Sequence, residues 1–246
     1  MPLVHCSVIN EIAWVNHGQI FCNYEIGSAI DIWCIEVSSQ HSLADRFNEL
    51  LSADEIKKAS RYYREVDRQR FIVSRMALRL LLSKYADCPA KELIFYENVN
   101  KKPFLQNSHN GNVHFNISHS GDIILIAVAN SDIGVDVEKI DKEFVFAEIL
   151  EKNFSQEEID FIKRSGFYHE NFYLLWSRKE SLLKATSKGI DDNLKNVPCL
   201  DGDYYVDQIV AGSNENWRVN SFTLSNEYAA SIAYKVTSQQ LHFFYF

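Results

Sequence analysis

Residues 51–84 lie over residues 154–187 at an offset of 103 without a gap, and seven of the 34 positions are identical. The identities are Ser52/Ser155, Glu55/Glu158, Ile56/Ile159, Arg61/Arg164, Ser74/Ser177, Arg75/Arg178 and Leu80/Leu183. Average composition gives roughly two by chance. Such a repeat asks for two similar units instead of one graded core. Both copies open with S-x-x-E, a capping box in which the serine oxygen takes a free backbone N–H and the glutamate reaches back. Each copy then reads as a short capped helix, a connection and a longer amphipathic helix, at about 67–86 and 170–188. Ile72, Met76 and Leu80, with Val73 and Ala77, form the apolar stripe of the first long helix.

The strands follow from alternation and turn residues. HFNISHS (114–120), a Gly121-Asp122 turn and IILIAVA read as a hairpin, and EYAASIAYKV (227–236) as a late strand. The same offset lays AIDIWCIEV (29–37) over DIGVDVEKI (132–140), so Trp33 and Ile35 stand opposite Asp136 and Glu138. The expected fold is α+β: two similar halves, 1–131 and 132–246, with one asymmetric site between them.

Three bulk properties narrow the function. The net charge of −8 argues against a general nucleic-acid binder. Residues 57–84 nevertheless carry nine Lys/Arg against Glu65 and Asp67, which leaves about −15 on the rest. That local basic face suits a small polyanion or an acidic partner, or is a solvated helix face. Five scattered cysteines (6, 22, 34, 88, 199), with no CxxC, indicate reduced thiols in a cytoplasmic protein. No run approaches the ~18 apolar residues of a membrane helix. MPLVHCSVINEI lacks the basic start and apolar block of a signal peptide, so the Asn116-Ile117-Ser118 sequon carries little meaning.

Four constellations carry chemistry. Asp136 and Glu138 are i and i+2 on a strand, so both carboxylates share a face. Side by side they repel unless a cation or proton intervenes, and oxygen ligands of this kind suit Mg²⁺. The alternative is the solvent side of an edge strand. Glu180, Lys184 and Lys188 follow at i+4 steps on one helix face, with Lys179 at its border. They form either a surface salt-bridge row or a third carboxylate with lysines for phosphates. Ser118, His119 and Ser120 end a strand before a turn, where the histidine is structural or a phosphate donor; zinc is disfavoured for want of ligand spacing. In NKKPFL (100–105), Pro103 holds Lys102 extended.

Together these segments resemble 4′-phosphopantetheinyl transferases of the large, pseudo-dimeric type that activates peptide and polyketide synthetases. The family pattern G-[IV]-D-[IV]-E stands as Gly134-Val135-Asp136-Val137-Glu138, and W-[ST]-x-K-E-[SA]-x-x-K as Trp176 through Lys184. F-N-[IV]-S-H-[ST] stands as Phe115 through Ser120, G-K-P survives as Lys102-Pro103, and an upstream basic segment matches Lys58, Arg61, Tyr62, Asp67 and Arg70. The resemblance implies coenzyme A bound in a cleft between the halves. It also implies Mg²⁺, or Mn²⁺, held by Asp136, Glu138 and Glu180. The hydroxyl of a serine on an apo acyl or peptidyl carrier protein then attacks the β-phosphate, and adenosine 3′,5′-bisphosphate leaves. Glu180 is implied as base, with Lys184 as second candidate should its pKa be lowered. Lys179 and Lys184 contact the pyrophosphate. Ser118, His119, Lys58 and Arg70 grip the 3′-phosphate, and Lys102 and Pro103 flank adenine.

Two positions depart from the pattern. Glu55 stands where the basic segment often has a cation, and Lys101 replaces the glycine before Lys-Pro. The duplicated halves point to a monomer. Two rival readings are a non-catalytic coenzyme A or carrier-protein binding module, and another Mg²⁺-dependent phosphoryl-transfer enzyme. The first leaves the three acids unexplained; the second lacks a GxxxxGK[ST] loop. The carrier's pathway, whether fatty-acid, polyketide or peptide, is not legible in the chain.

Overall fold

The computed structural model describes residues 1–16, 27, 29–40, 46–106, 113–164, 166–191, 193–236 and 240–246. Cys22 lies outside the described residues. Twelve described strands run β1 (Leu3–Val8), β2 (Trp14–Asn16), β3 (Ile30–Glu36), β4 (Phe95–Glu97), β5 (Pro103–Leu105), β6 (His114–Ser120), β7 (Ile123–Ala129), β8 (Ile133–Lys139), β9 (Gly202–Tyr205), β10 (Trp217–Leu224), β11 (Tyr228–Lys235) and β12 (Leu241–Tyr245). The described α-helices are α1 (Phe47–Leu50), α2 (Ala53–Ala59), α3 (Glu65–Tyr85), α4 (Ala147–Asn153), α5 (Gln156–Arg164), α6 (Tyr168–Thr186) and α7 (Gln208–Ala211).

The repeat is a structural one. β3 and β8, α2 and α5, and α3 and α6 begin 103 residues apart. Both capping boxes form with the same geometry. Ser52 N donates to the Glu55 carboxylate at 2.9 Å and Ser155 N to that of Glu158 at 2.9 Å, and both reciprocal bonds are 3.3 Å. The long helices start two residues earlier than the periodicity places them.

Two five-stranded sheets, ordered β2-β12-β3-β7-β6 and β8-β11-β10-β1-β9, stack face to face. Helix α3 covers the outer face of the first and α6 that of the second. β7 shows why a strand can be apolar throughout: Ile123, Leu125, Ala127 and Ala129 enter the core between the sheets, while Ile124, Ile126 and Val128 pack beneath α3. The 131/132 boundary falls where the chain passes from one sheet to the other, but the terminal strands cross it. β1 pairs parallel with β10 in the second sheet, and β12 pairs parallel with β3 in the first. Neither half is therefore a contiguous stretch. Each borrows a strand from the far end of the chain, and pairing partners of that separation leave no local pattern.

The two sheets meet at the edge strands β6 and β8. No backbone ladder joins them; side chains do. Asn116 Oδ1 accepts from Val135 N at 2.8 Å, Ser118 Oγ from Val137 N at 3.4 Å, and Ser120 Oγ from Lys139 N at 3.0 Å. Alternate residues of β6 thus satisfy the N–H groups that an edge strand leaves open.

On its other face β8 touches α6. A Cβ on Gly134 would stand 2.0 Å from Ser181 O and 2.4 Å from Ala185 N, so only glycine lets helix and strand come this close. Gly134→Ala is expected to lower stability by about 3 kcal/mol or more, because backbone on both sides must move. Urea unfolding checks this; a loss below about 1 kcal/mol would show that the contact gives way easily.

Candidate active site

The close approach of α6 to β8 sets Glu180 and Lys184 over Asp136 and Glu138. Lys184 Nζ is 2.6 Å from Asp136 Oδ1 and 3.5 Å from Glu180 Oε2. Ser118 Oγ donates to the same Asp136 oxygen at 2.9 Å and accepts from Lys184 Nζ at 3.1 Å. Ser120 Oγ donates to Glu138 Oε2 at 3.2 Å. Asp136 is buried, and its Oδ2 has no hydrogen-bond partner among the described residues.

Three acids share one ammonium here, and the proton affinities show it. Burial, then Asp136 and Glu180, push the Glu138 carboxyl up to about 7. Burial and Asp136 raise Glu180 as well, against the opposing pull of Lys184. Burial alone would lower Lys184, but Asp136, Glu180 and Glu138 more than offset it, and its pKa is raised. Lys184 therefore stays protonated, and the condition on which it was the second candidate base, a lowered pKa, is not met.

The acids border a cleft of about 940 Å³ whose opposite wall comes from the first half: Lys58, Tyr62, Phe71 and Arg75, with Tyr96, Lys101 and Pro103 from the β4–β5 hairpin. Ile117, Ser118 and His119 form its floor at the end of β6. The His119 pKa is lowered by partial burial, then by Arg70 and Lys184, so two cations lie near a neutral ring. Lys58 Nζ stands 5.4 Å from the centre of the Phe71 ring. Arg70 pairs with Asp67 at 3.3 Å and reaches the site through its charge on His119.

Two residues expected at the cleft point elsewhere. Lys179 is fully buried: its Nζ pairs with Glu158 at 2.9 Å and donates to Leu194 O and Val197 O, so it cannot reach a phosphate from this position. The repeat contained the signal, since Lys179 stands opposite Met76 of the apolar stripe. Lys102 Nζ donates to Ile133 O and Ala185 O, both at 3.1 Å, and burial brings its pKa down to about 8. Its ammonium clamps the hairpin to β8 and α6, and Pro103 alone of the pair lines the cleft. Glu55, where a cation was expected, is held by Arg75 and Arg79 at 2.7 Å each. Asn116 and Ser120 carry no role in the sequence reading; the signal for one is polar alternation, N-x-S-x-S, on a strand otherwise fit for a core.

Among the described residues, no three Asp, Glu, His or Cys side chains stand close enough as placed to hold an ion. The donor chemistry still fits a hard dication. There are three carboxylates, two of them with raised pKa, and one buried oxygen without a hydrogen bond.

Comparison with known proteins identifies the family. The family model described as the 4′-phosphopantetheinyl transferase superfamily matches residues 132–233, and that of the 4′-phosphopantetheinyl transferase N-terminal region matches 38–131. The slr0495 protein of Synechocystis, provisionally named as such a transferase, is 33% identical over 183 residues, 71% of this chain and 73% of its own. Sfp of Bacillus subtilis is 30% identical over 148 residues, covering 59% and 64% of the two chains, and HetI of Nostoc 27% over 169, covering 67% and 71%. The chain belongs to the 4′-phosphopantetheinyl transferase family. It is an enzyme whose relatives' names describe transfer of phosphopantetheine.

Glu138 moves from an ordinary 4.5 to about 7 in the fold. Between those values the folded protein holds a proton the unfolded chain has released, so stability falls as pH rises. Without divalent cations, Glu138→Gln is expected to gain on the wild type progressively from pH 4.5 to about 7 and to level off above, in urea unfolding. A difference independent of pH would mean that the carboxyl is not raised.

Proposed function

We propose that the protein moves 4′-phosphopantetheine from coenzyme A to a serine of an apo acyl or peptidyl carrier protein, with Mg²⁺, releasing adenosine 3′,5′-bisphosphate. The observation that carries this is the convergence of Asp136, Glu138, Glu180 and Lys184 at one end of a cleft whose far wall includes Lys58 and Lys101. Asp136, Glu138 and Glu180 would hold the cation. When bound, it neutralises charge on the pyrophosphate and on the leaving phosphate.

This chain's residues supply the rest. Lys184, protonated and tied to Asp136, faces the cleft and stabilises the same phosphate charge. Glu180 takes the serine proton, helped by a pKa raised toward working pH. The serine oxygen bonds to the β-phosphorus, and the bond from that phosphorus to the bridging oxygen breaks. His119 and Lys58 grip the 3′-phosphate, with Arg70 behind them; a bound phosphate would draw a proton onto the neutral ring. Ser118 orients Asp136 and Lys184 from below. One chain provides both walls of the cleft, which supports a monomer. Among the described residues no helix is long and apolar enough to cross a membrane.

Intact mass of apo carriers incubated with the protein, coenzyme A and Mg²⁺ is expected to rise by one phosphopantetheine, and EDTA to prevent the gain. No gain on fatty-acid, polyketide or peptide carriers would count against the reading. Asp136→Ala is expected to abolish transfer with the circular dichroism spectrum retained; unchanged turnover would end the metal assignment. His119→Ala is expected to raise the KM for coenzyme A about tenfold, the worth of one charge-assisted hydrogen bond.

A further inference from the structure

Lys101 sits at the tip of the β4–β5 hairpin with φ of 62°. An L-residue there costs about 1–2 kcal/mol relative to the right-handed region, and glycine or asparagine is the usual occupant. Among the described residues, the other non-glycine positions with positive φ are Asp87, Ser187, Ser225 and Asn226, all short and polar. A lysine is the exception.

Its neighbours hold it in that conformation. Asn98 Oδ1 accepts from Asn100 N and Lys102 N, and Lys101 N donates to Asn98 O at 2.9 Å. Asn100 Nδ2 reaches Ser187 O at the end of α6, while Lys102 Nζ reaches Ala185 O and Ile133 O. The hairpin is thus fastened to the second half on both sides of Lys101, and an over-determined backbone can maintain a disfavoured φ. The Lys101 side chain lines the cleft between those anchors and is exposed. Its ammonium has no ion-pair or hydrogen-bond partner among the described residues. Across the cleft, Arg75 and Arg79 are committed to Glu55, so fewer wall cations are free for an anion than the composition suggests.

We propose that Lys101 is a phosphate-binding residue of this cleft, a cation held out by a strained backbone for the anionic co-substrate. The inference rests on the coenzyme A reading above. Which phosphate it takes, the 3′-phosphate or the pyrophosphate, is decided by the ligand used to test it.

The experiment is calorimetric titration of coenzyme A and of 3′-dephospho-coenzyme A into the wild type, Lys101→Gly and Lys101→Arg, with melting curves alongside. Lys101→Gly is expected to bind coenzyme A about tenfold more weakly at low salt, a gap that narrows at raised salt, while Lys101→Arg stays within about threefold of the wild type. The glycine variant is expected to melt about 2 °C higher, since it relieves the left-handed conformation; that separates lost binding from lost folding. A loss confined to coenzyme A assigns the 3′-phosphate, and an equal loss on both ligands assigns the pyrophosphate. Unchanged affinity of the glycine variant for both would overturn the proposal while leaving the transferase reading intact. Failure of the wild type to bind coenzyme A would overturn both.

Discussion

The junction of β6 and β8 is the interaction on which the rest depends. Each is the edge of its own sheet, and a backbone ladder between them would fuse the two sheets into one. Asn116, Ser118 and Ser120 prevent this by offering side-chain acceptors to Val135, Val137 and Lys139. The edge is satisfied and the sheets stay stacked. The same contacts place Ser118 against Asp136 and Lys184, so the device that holds the halves together also orders the acid cluster between them.

Duplication supplies two such strand–helix pairs, yet only one carries charge. Opposite Asp136, Glu138, Glu180 and Lys184 stand Trp33, Ile35, Ala77 and Leu81, all within the core beneath α3. Trp33 stacks on Phe244 of the borrowed strand β12 and donates to Tyr85. The first half spends this position on packing and so can serve as a rigid wall. The second turns it toward the cleft, where burial and the neighbouring Asp136 raise the pKa of Glu138 and Glu180.

Much of this was legible beforehand. Capping boxes, helix stripes and the 114–129 hairpin are local patterns, set by periods of 3.6 and 2 and by turn residues, and they were read close to where they stand. Asp136 and Glu138 were placed on one face by the period of the strand alone. The resemblance implies a place beside adenine for Lys102 and on the pyrophosphate for Lys179, because both stand inside family motifs. Their destinations, carbonyls at the ends of other elements and the acid Glu158, are long-range contacts that a linear pattern does not contain.

By itself, the sequence determined the two-unit plan, the elements of each unit and which unit keeps the acids, since each is written in spacing along the chain. Tertiary structure alone decided three things. It exchanged β1 and β12 between the sheets, turned Lys179 inward while keeping Lys184 at the cleft, and brought α6 onto β8 over the bare backbone of Gly134. The physical reason is common to all three. Each depends on which surfaces far apart in the chain are packed together, and a lysine one position along a helix meets a different surface from its neighbour.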